Sequence, residues 1–286
     1  MLAVSDLTDL DAIVDTDRYP VDTDRYPIDC GEDRSAIARR DTVVAEARAS
    51  LAARGVAALD GFLRTEAIDR VAADAIGNVH RANLQDSAGT AYLTAPDDSF
   101  PTGHPRRNVQ RSRTHILAYD LVPPDNPVRQ LFESDLMTAF LAEVLDRNPL
   151  HRMADPLGAL NLTVMEEDHV QGWHYDSTDF VVSIAIQSSE GGGEFECARD
   201  IRDANDEHYD DVARVLDGRA DDLVRVYPMT PGTLMVFMGR YSLHRVAPIT
   251  GSTPRVVALL GYDTRPDTNS SDGLKLARYG RTQAFA

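Results

Sequence analysis

The chain has 286 residues and a formal net charge of −17. That length suits one large domain with a well-buried core or two small ones, and the charge argues against a nucleic-acid partner or an anionic membrane surface. No apolar run is long enough to span a bilayer, the acidic first residues do not read as a signal peptide, and the two cysteines, Cys30 and Cys197, are too few for a disulfide framework. The expected setting is a reducing cytoplasm.

Residues 1–34 read as an extended acidic arm. They hold a tandem repeat, VDTDRYP at 14–20 and again at 21–27, and two copies are too few for a repeat fold. The arginines and tyrosines are expected to dock the arm on the body, with proline keeping the backbone extended. Residues 35–286 read as a single domain, with 35–150 as helical support and an active-site loop, 151–265 as a β core and 266–286 as a tail. The pattern over 35–53 is helical and ends at Gly55, a C-cap glycine. Residues 55–59 suit a strand. A second amphipathic helix is predicted from Thr65, as N-cap, to about Asn83.

Residues 84–114 are polar and turn-rich and are expected to form a loop at the mouth of the site. Arg111 or Arg113 would then meet a substrate carboxylate, unless both are solvated. A strand over 114–121 and helical segments over 127–145 follow. Strands are predicted at 158–165, 180–187, 194–196, 223–227, 233–237 and 255–262. The charged block 199–219, with a short helix near 208–216, interrupts them and could close as a lid. Residues 266–271 read as a flexible tail segment.

Short strands after gathered helices give a fold class: mainly β with flanking α, a double-stranded β-helix (jelly-roll, cupin-like) core with an N-terminal helical part. The chemistry concentrates in the core, in Gly172-Trp173-His174-Tyr175-Asp176. On a strand, residues i and i+2 share a face, so His174 and Asp176 can both aim inward with Tyr175 outward. His244 follows Asp176 by 68 positions, after the strand 233–237. Two imidazoles and one carboxylate form a facial triad that holds Fe(II) and leaves three positions open. Arg255 opens the strand 255–262, where a guanidinium can grip a dicarboxylate with two parallel bonds. Trp173, the only tryptophan, is read as core packing.

Several blocks carry a family resemblance: Asp24-Arg25-Tyr26-Pro27, Ala154-Asp155-Pro156-Leu157, the segment 172–176, Gly192-Gly193-Glu194-Phe195-Glu196, Ile201-Arg202, the segment 239–246 and Tyr279-Gly280-Arg281. Here the chain resembles the Fe(II)/2-oxoglutarate-dependent oxygenases, and within them the free amino acid halogenases and hydroxylases typified by bacterial lysine halogenases. The resemblance implies Fe(II) on His174, Asp176 and His244, with 2-oxoglutarate and O2 as co-substrates. Arg255 would take the distal carboxylate of 2-oxoglutarate, and Thr163 or Thr253 would add a hydroxyl. Halogenating members carry Gly or Ala where this chain has Asp176, so the resemblance implies hydroxylation.

The implied substrate is a free polar amino acid, lysine-like or related. Asp155, Asp179, Glu194 and Arg202 are candidates to hold its charged groups. Glu194 and Glu196 share one face of their strand, and sequence leaves open whether that face is inner or outer. Desaturation, cyclisation or halogenation on the same iron, and a non-enzymatic cupin-like binding protein, are the rival readings. A homodimer is compatible with the sequence and not dictated by it.

Overall fold

The computed structural model describes residues 10–21 and 33–285. The first stretch opens with a 3-10 turn, Leu10–Ala12, and buries Leu10, Ile13, Val14, Tyr19 and Val21 in the main core. Tyr19 of the first VDTDRYP copy packs on Phe62, 5.5 Å between ring centroids, and donates its hydroxyl to the Asp60 carbonyl. The second copy, beyond Val21, lies outside the described residues.

Helix α1 (Asp33–Arg54) stops at Gly55, whose φ of +68° is the left-handed value that a glycine supplies without strain. Strand β1 (Val56–Leu59) and helix α2 (Thr65–Gly77) follow. Arg64, not Thr65, occupies the N-cap of α2, and the helix ends six residues short of Asn83. Asn83 instead opens β2 (Asn83–Thr90), which pairs residue for residue with β3 (Val109–Leu117). The expected loop is therefore a two-stranded ribbon whose connection spans 91–108. Its outer strand is solvated along most of its length, so it lacks the apolar alternation by which a half-buried strand is recognised.

The chain continues through α3 (Pro127–Glu133), α4 (Asp135–Leu145), β4 (His151–Arg152), β5 (Leu160–Met165), β6 (Val170–His174), β7 (Val181–Gln187), β8 (Gly191–Gly192) and β9 (Phe195–Ala198). After α5 (Tyr209–Leu216) come β10 (Val224–Tyr227), β11 (Leu234–Phe237), β12 (Leu243–Val246), β13 (Ile249–Thr250), β14 (Arg255–Leu260), β15 (Tyr262–Asp263) and α6 (Asp272–Tyr279). The last helix replaces part of the expected tail. Its signals are local: the Ser271 hydroxyl accepts from the Leu274 amide, and Gly280 closes the helix at φ +67°.

Eleven strands form one curled antiparallel sheet in the order β1-β11-β7-β14-β5-β3-β6-β12-β9-β10, with β2 on the outside of β3. Strand β3 turns the corner, pairing β5 through residues 115–117 and β6 through 112–113. This is the double-stranded β-helix expected from the sequence.

Alternation assigns the two faces. Leu160, Leu162 and Val164 of β5, Val182, Ile184 and Ile186 of β7, and Val256, Ala258 and Leu260 of β14 pack with apolar residues of α1 to α4 in one core. Each such valine, leucine or isoleucine contributes about 1.5–3 kcal/mol by leaving water. The residues between them, including Thr163, Met165, Ser183, Arg255 and Val257, face the hollow of the barrel. Phe195, Cys197, Met235 and Phe237 form an apolar wall inside it.

Candidate active site

His174 is the last residue of β6, and it stands directly opposite His244 of β12 in the antiparallel register. Between this pair and the next, Gln171 opposite Val246, β6 carries one extra residue. Such a bulge re-aims side chains, here bringing Gln171 onto the same face as His174. Beyond the strand end, Asp176 returns to that face. Trp173 and Tyr175 point the other way, into a separate cluster with Leu243, Val212 and Val215.

The three side chains converge. The imidazole centroids are 4.2 Å apart, His244 Nε2 lies 3.3 Å from Asp176 Oδ2, and His174 Nε2 lies 3.9 Å from Asp176 Oδ1. Backbone carbonyls orient both rings: Nδ1 of His174 is 2.8 Å from the Gly172 oxygen, and Nδ1 of His244 is 2.9 Å from the Ser242 oxygen. These contacts place hydrogen on Nδ1 and leave each Nε2 lone pair aimed at the carboxylate, the arrangement that metal-binding histidines use. Burial first, and the neighbouring His244 second, lower the His174 pKa to about 4. A neutral ring at physiological pH is what a metal requires.

Two features fit a cation between these groups. Asp176 Oδ2 is buried without a hydrogen-bond partner, which is costly for a carboxylate unless a positive charge meets it. In addition, a Cβ at Gly239 would stand 1.9 Å from that same oxygen, so the backbone leaves room for the carboxylate only because residue 239 is glycine. His174, Asp176 and His244 together could hold one metal ion.

Arg255 begins β14 and is buried at 8% exposure. Burial lowers its pKa to about 10, still leaving it charged at neutral pH. No carboxylate pairs with it among the described residues; its guanidinium reaches only the Met229 sulfur at 3.7 Å. Gly193, at φ +75°, lets the chain pass close, since a Cβ there would lie 2.9 Å from Arg255 Cδ. A buried, unpaired guanidinium fits an incoming carboxylate.

Thr163 shares the inner face and donates its hydroxyl to the Val257 carbonyl at 3.1 Å. Thr253 does not join it: its hydroxyl donates to Glu190 in an exposed turn.

The structure brings none of the expected substrate residues to the triad. Arg111 and Arg113 sit on β3 in phase with Leu117, whose partner Leu162 faces the helices. They therefore turn away from the hollow, where both pair with Asp86. Asp155 is fully buried and accepts from the amides of Leu157, Gly158 and Ser270, beside Lys275 at 3.9 Å. Asp179 pairs with Arg240 in an exposed position. Glu194 is exposed, while Glu196 bonds outward to Arg245 at 2.8 Å. The inner residues of that strand are Phe195 and Cys197. Arg202 lies 3.7 Å over the Tyr175 ring, on the far side of the ligand strand, and bonds Glu207 and the Arg240 carbonyl.

Sequence patterning passed over Gln171, which touches the triad, and Asn161, which shares the inner face of β5 with Thr163. The Gln171 amide nitrogen is 3.2 Å from His174 Nε2. Asn161 of β5 accepts on Oδ1 from the Tyr279 hydroxyl at 2.9 Å and from Arg278 at 3.4 Å.

A family model described as Halogenase D matches residues 39–275, and the chain belongs to this family of Fe(II)/2-oxoglutarate-dependent oxygenases. Among solved structures, AviO1 from Streptomyces viridochromogenes is similar at 17% identity and a TM-score of 0.54, over 79% of this chain and 97% of that one. The non-heme α-ketoglutarate-dependent carbocyclase SnoK from nogalamycin biosynthesis is similar at 14% identity and a TM-score of 0.54, over 84% and 92%. The epimerase SnoN from the same biosynthesis matches at 11% identity and a TM-score of 0.52, over 78% and 83%. At these identities the likeness is one of fold. A search of curated proteins finds no match. The cofactors of the family are Fe(II) and 2-oxoglutarate.

Proposed function

We propose that this chain is a hydroxylase of a free polar amino acid, with Fe(II) held by His174, Asp176 and His244 and the distal carboxylate of 2-oxoglutarate held by Arg255. Bound together, Fe(II), 2-oxoglutarate and O2 supply the oxidising chemistry, release succinate and CO2, and leave an oxygen atom on a substrate carbon. The chain's own part is positional. The Gly172 and Ser242 carbonyls fix the ring tautomers, and Phe195 and Phe237, packed against His244, keep one wall of the site dry. Arg255 sets how far into the barrel a dicarboxylate can reach.

The observation that carries hydroxylation is the Asp176 carboxylate, facing both Nε2 atoms from the space that Gly239 leaves. A chain that binds halide on iron needs that position empty of a carboxylate. The match to a family described as Halogenase D makes halogenation the second reading, and Asp176 argues against it. The deciding experiment is a screen of free amino acids, with Fe(II) and 2-oxoglutarate, for succinate release and product mass. A gain of one oxygen supports the reading. A gain of chlorine, a loss of two hydrogens, or no coupling to any amino acid overturns it.

A further inference from the structure

A second arginine without a carboxylate partner among the described residues stands against the barrel. Arg278 sits near the end of α6, half-buried, with its Nε atom shut off from solvent and without a hydrogen-bond partner. Among the described residues it forms no ion pair. The one side-chain acceptor it meets is the neutral Asn161 Oδ1 at 3.4 Å, a long contact for a guanidinium. Other arginines of these strands and loops are matched by carboxylates: Arg202 by Glu207, Arg240 by Asp179, Arg245 by Glu196 and Arg111 by Asp86. Leaving a guanidinium half-buried and unpaired is costly, so its persistence at this position asks for an anion.

The surroundings hold Arg278 in place. Asn161 is itself fixed, donating both to the Leu157 and to the Leu160 carbonyls, while its Oδ1 takes the buried Tyr279 hydroxyl. The Asn83 amide donates to the Arg278 carbonyl. Helix α6 is tied to the barrel by Lys275 beside the fully buried Asp155, whose other oxygen accepts from the Ser270 amide. Asp155 thus serves the site at one remove, by seating the helix that carries Arg278. Asn161 lies on β5 in phase with Thr163, whose face lines the hollow, and Tyr279 packs on Ile116, the β3 partner of Thr163, so a group bound at Arg278 enters the same hollow as the triad.

We infer that Arg278, steadied by Asn161 and Tyr279, receives the carboxylate of the substrate, as Arg255 receives that of 2-oxoglutarate. The inference rests on the hydroxylase reading above and makes it more specific: the substrate is a free acid, and its amide should be rejected. A carboxamide would bring a hydrogen-bond donor and no charge to a half-buried cation.

The test uses full-length protein loaded anaerobically with Fe(II) and 2-oxoglutarate. The probes are the twenty standard L-amino acids and their carboxamides, read by the rise in thermal midpoint and then by titration of the best binder. Wild type should bind at least one acid and prefer it to its amide. Arg278→Gln should weaken the acid by about tenfold to a hundredfold, the range for a lost charge-assisted hydrogen bond, and should erase the preference over the amide. Arg278→Lys should keep the preference in part. Affinity for 2-oxoglutarate and iron content should stay at wild-type levels in both variants, which a misfolded barrel would not allow. Unchanged acid affinity or an unchanged acid-to-amide ratio in Arg278→Gln overturns this assignment alone. Loss of 2-oxoglutarate binding in that variant also overturns it, by moving Arg278 to the co-substrate. Binding of no acid by wild type overturns both the amino acid reading and the assignment.

Discussion

Gly239 and Asp176 fit each other so closely that one constrains the other. The Asp176 amide donates to the Gly239 carbonyl at 3.2 Å, and a Cβ on Gly239 would fall 1.9 Å from Asp176 Oδ2. The small residue is what lets a carboxylate turn inward at the end of β6. Gly239→Ala should therefore push the carboxylate aside and weaken Fe(II) binding by about tenfold or more, the scale on which groups supporting metal ligands act. Equilibrium titration with Fe(II), beside circular dichroism to show an intact fold, checks this. Wild-type iron affinity in Gly239→Ala would mean that Asp176 does not ligate.

Removing the carboxylate itself should change more than affinity. Asp176→Gly deletes one ligand and one negative charge beside two neutral imidazoles, so a chloride ion could enter with the charge restored. Hydroxylation should fall steeply. Chlorination, if it appears, should be faint, because holding the anion and aiming the substrate need a shaped surrounding that one substitution does not build. Product mass with and without chloride separates the outcomes, and full hydroxylation in the variant would remove Asp176 from the site.

His174→Ala or His244→Ala should abolish Fe(II) binding and turnover with the fold retained, since each deletes one of three anchors. Metal-stoichiometry measurement on folded protein is the check. Near wild-type iron content in either variant would exclude that residue as a ligand.

His174 also predicts a pH dependence for the metal-free protein. Its value of about 4 in the folded state lies below the ordinary 6.5. The unfolded chain therefore binds a proton that the folded chain refuses between those values. This contribution to stability is fully present above about 6.5 and is lost as pH falls towards about 4. Unfolding free energies measured across that window should fall more steeply for wild type than for His174→Gln. Parallel curves would show that the ring is not held neutral by burial.

Arg255→Lys keeps a positive charge and removes the two-pronged contact, so it should not behave as a conservative change. Affinity for 2-oxoglutarate should drop about tenfold, or roughly 1.4 kcal/mol, with iron binding unchanged. A drop confined to the amino acid substrate would place Arg255 in the other pocket.

Much of the β core was legible because its signals are local. The apolar runs of β5, β7, β11 and β14 are long enough to read, and His174 and Asp176 need only the two-residue period of a strand to share a face. The first VDTDRYP copy docks through Tyr19 as its aromatic ring suggested. The ribbon of β2 and β3 was not legible, because solvent on both sides of β2 erases the pattern that burial imposes. Helix α6 had its cap in Ser271 and its stop in Gly280, but these few polar and glycine residues read equally well as tail.

By itself, then, the sequence determined which three side chains form the candidate metal cluster and which strand carries Arg255, because ligand type and strand period are properties of short segments. The tertiary structure decided which charged side chains face the hollow. Arg111, Arg113 and Glu196 are one strand residue out of phase with it, Asp179 is engaged by Arg240 at the surface, and Asp155 is spent on backbone amides. Arg278 reaches the hollow because contacts from distant segments, Lys275 with Asp155, Tyr279 with Asn161 and Asn83 with the Arg278 carbonyl, fold α6 back on the barrel. Facing is a matter of register and packing between distant segments, and no single segment carries that information.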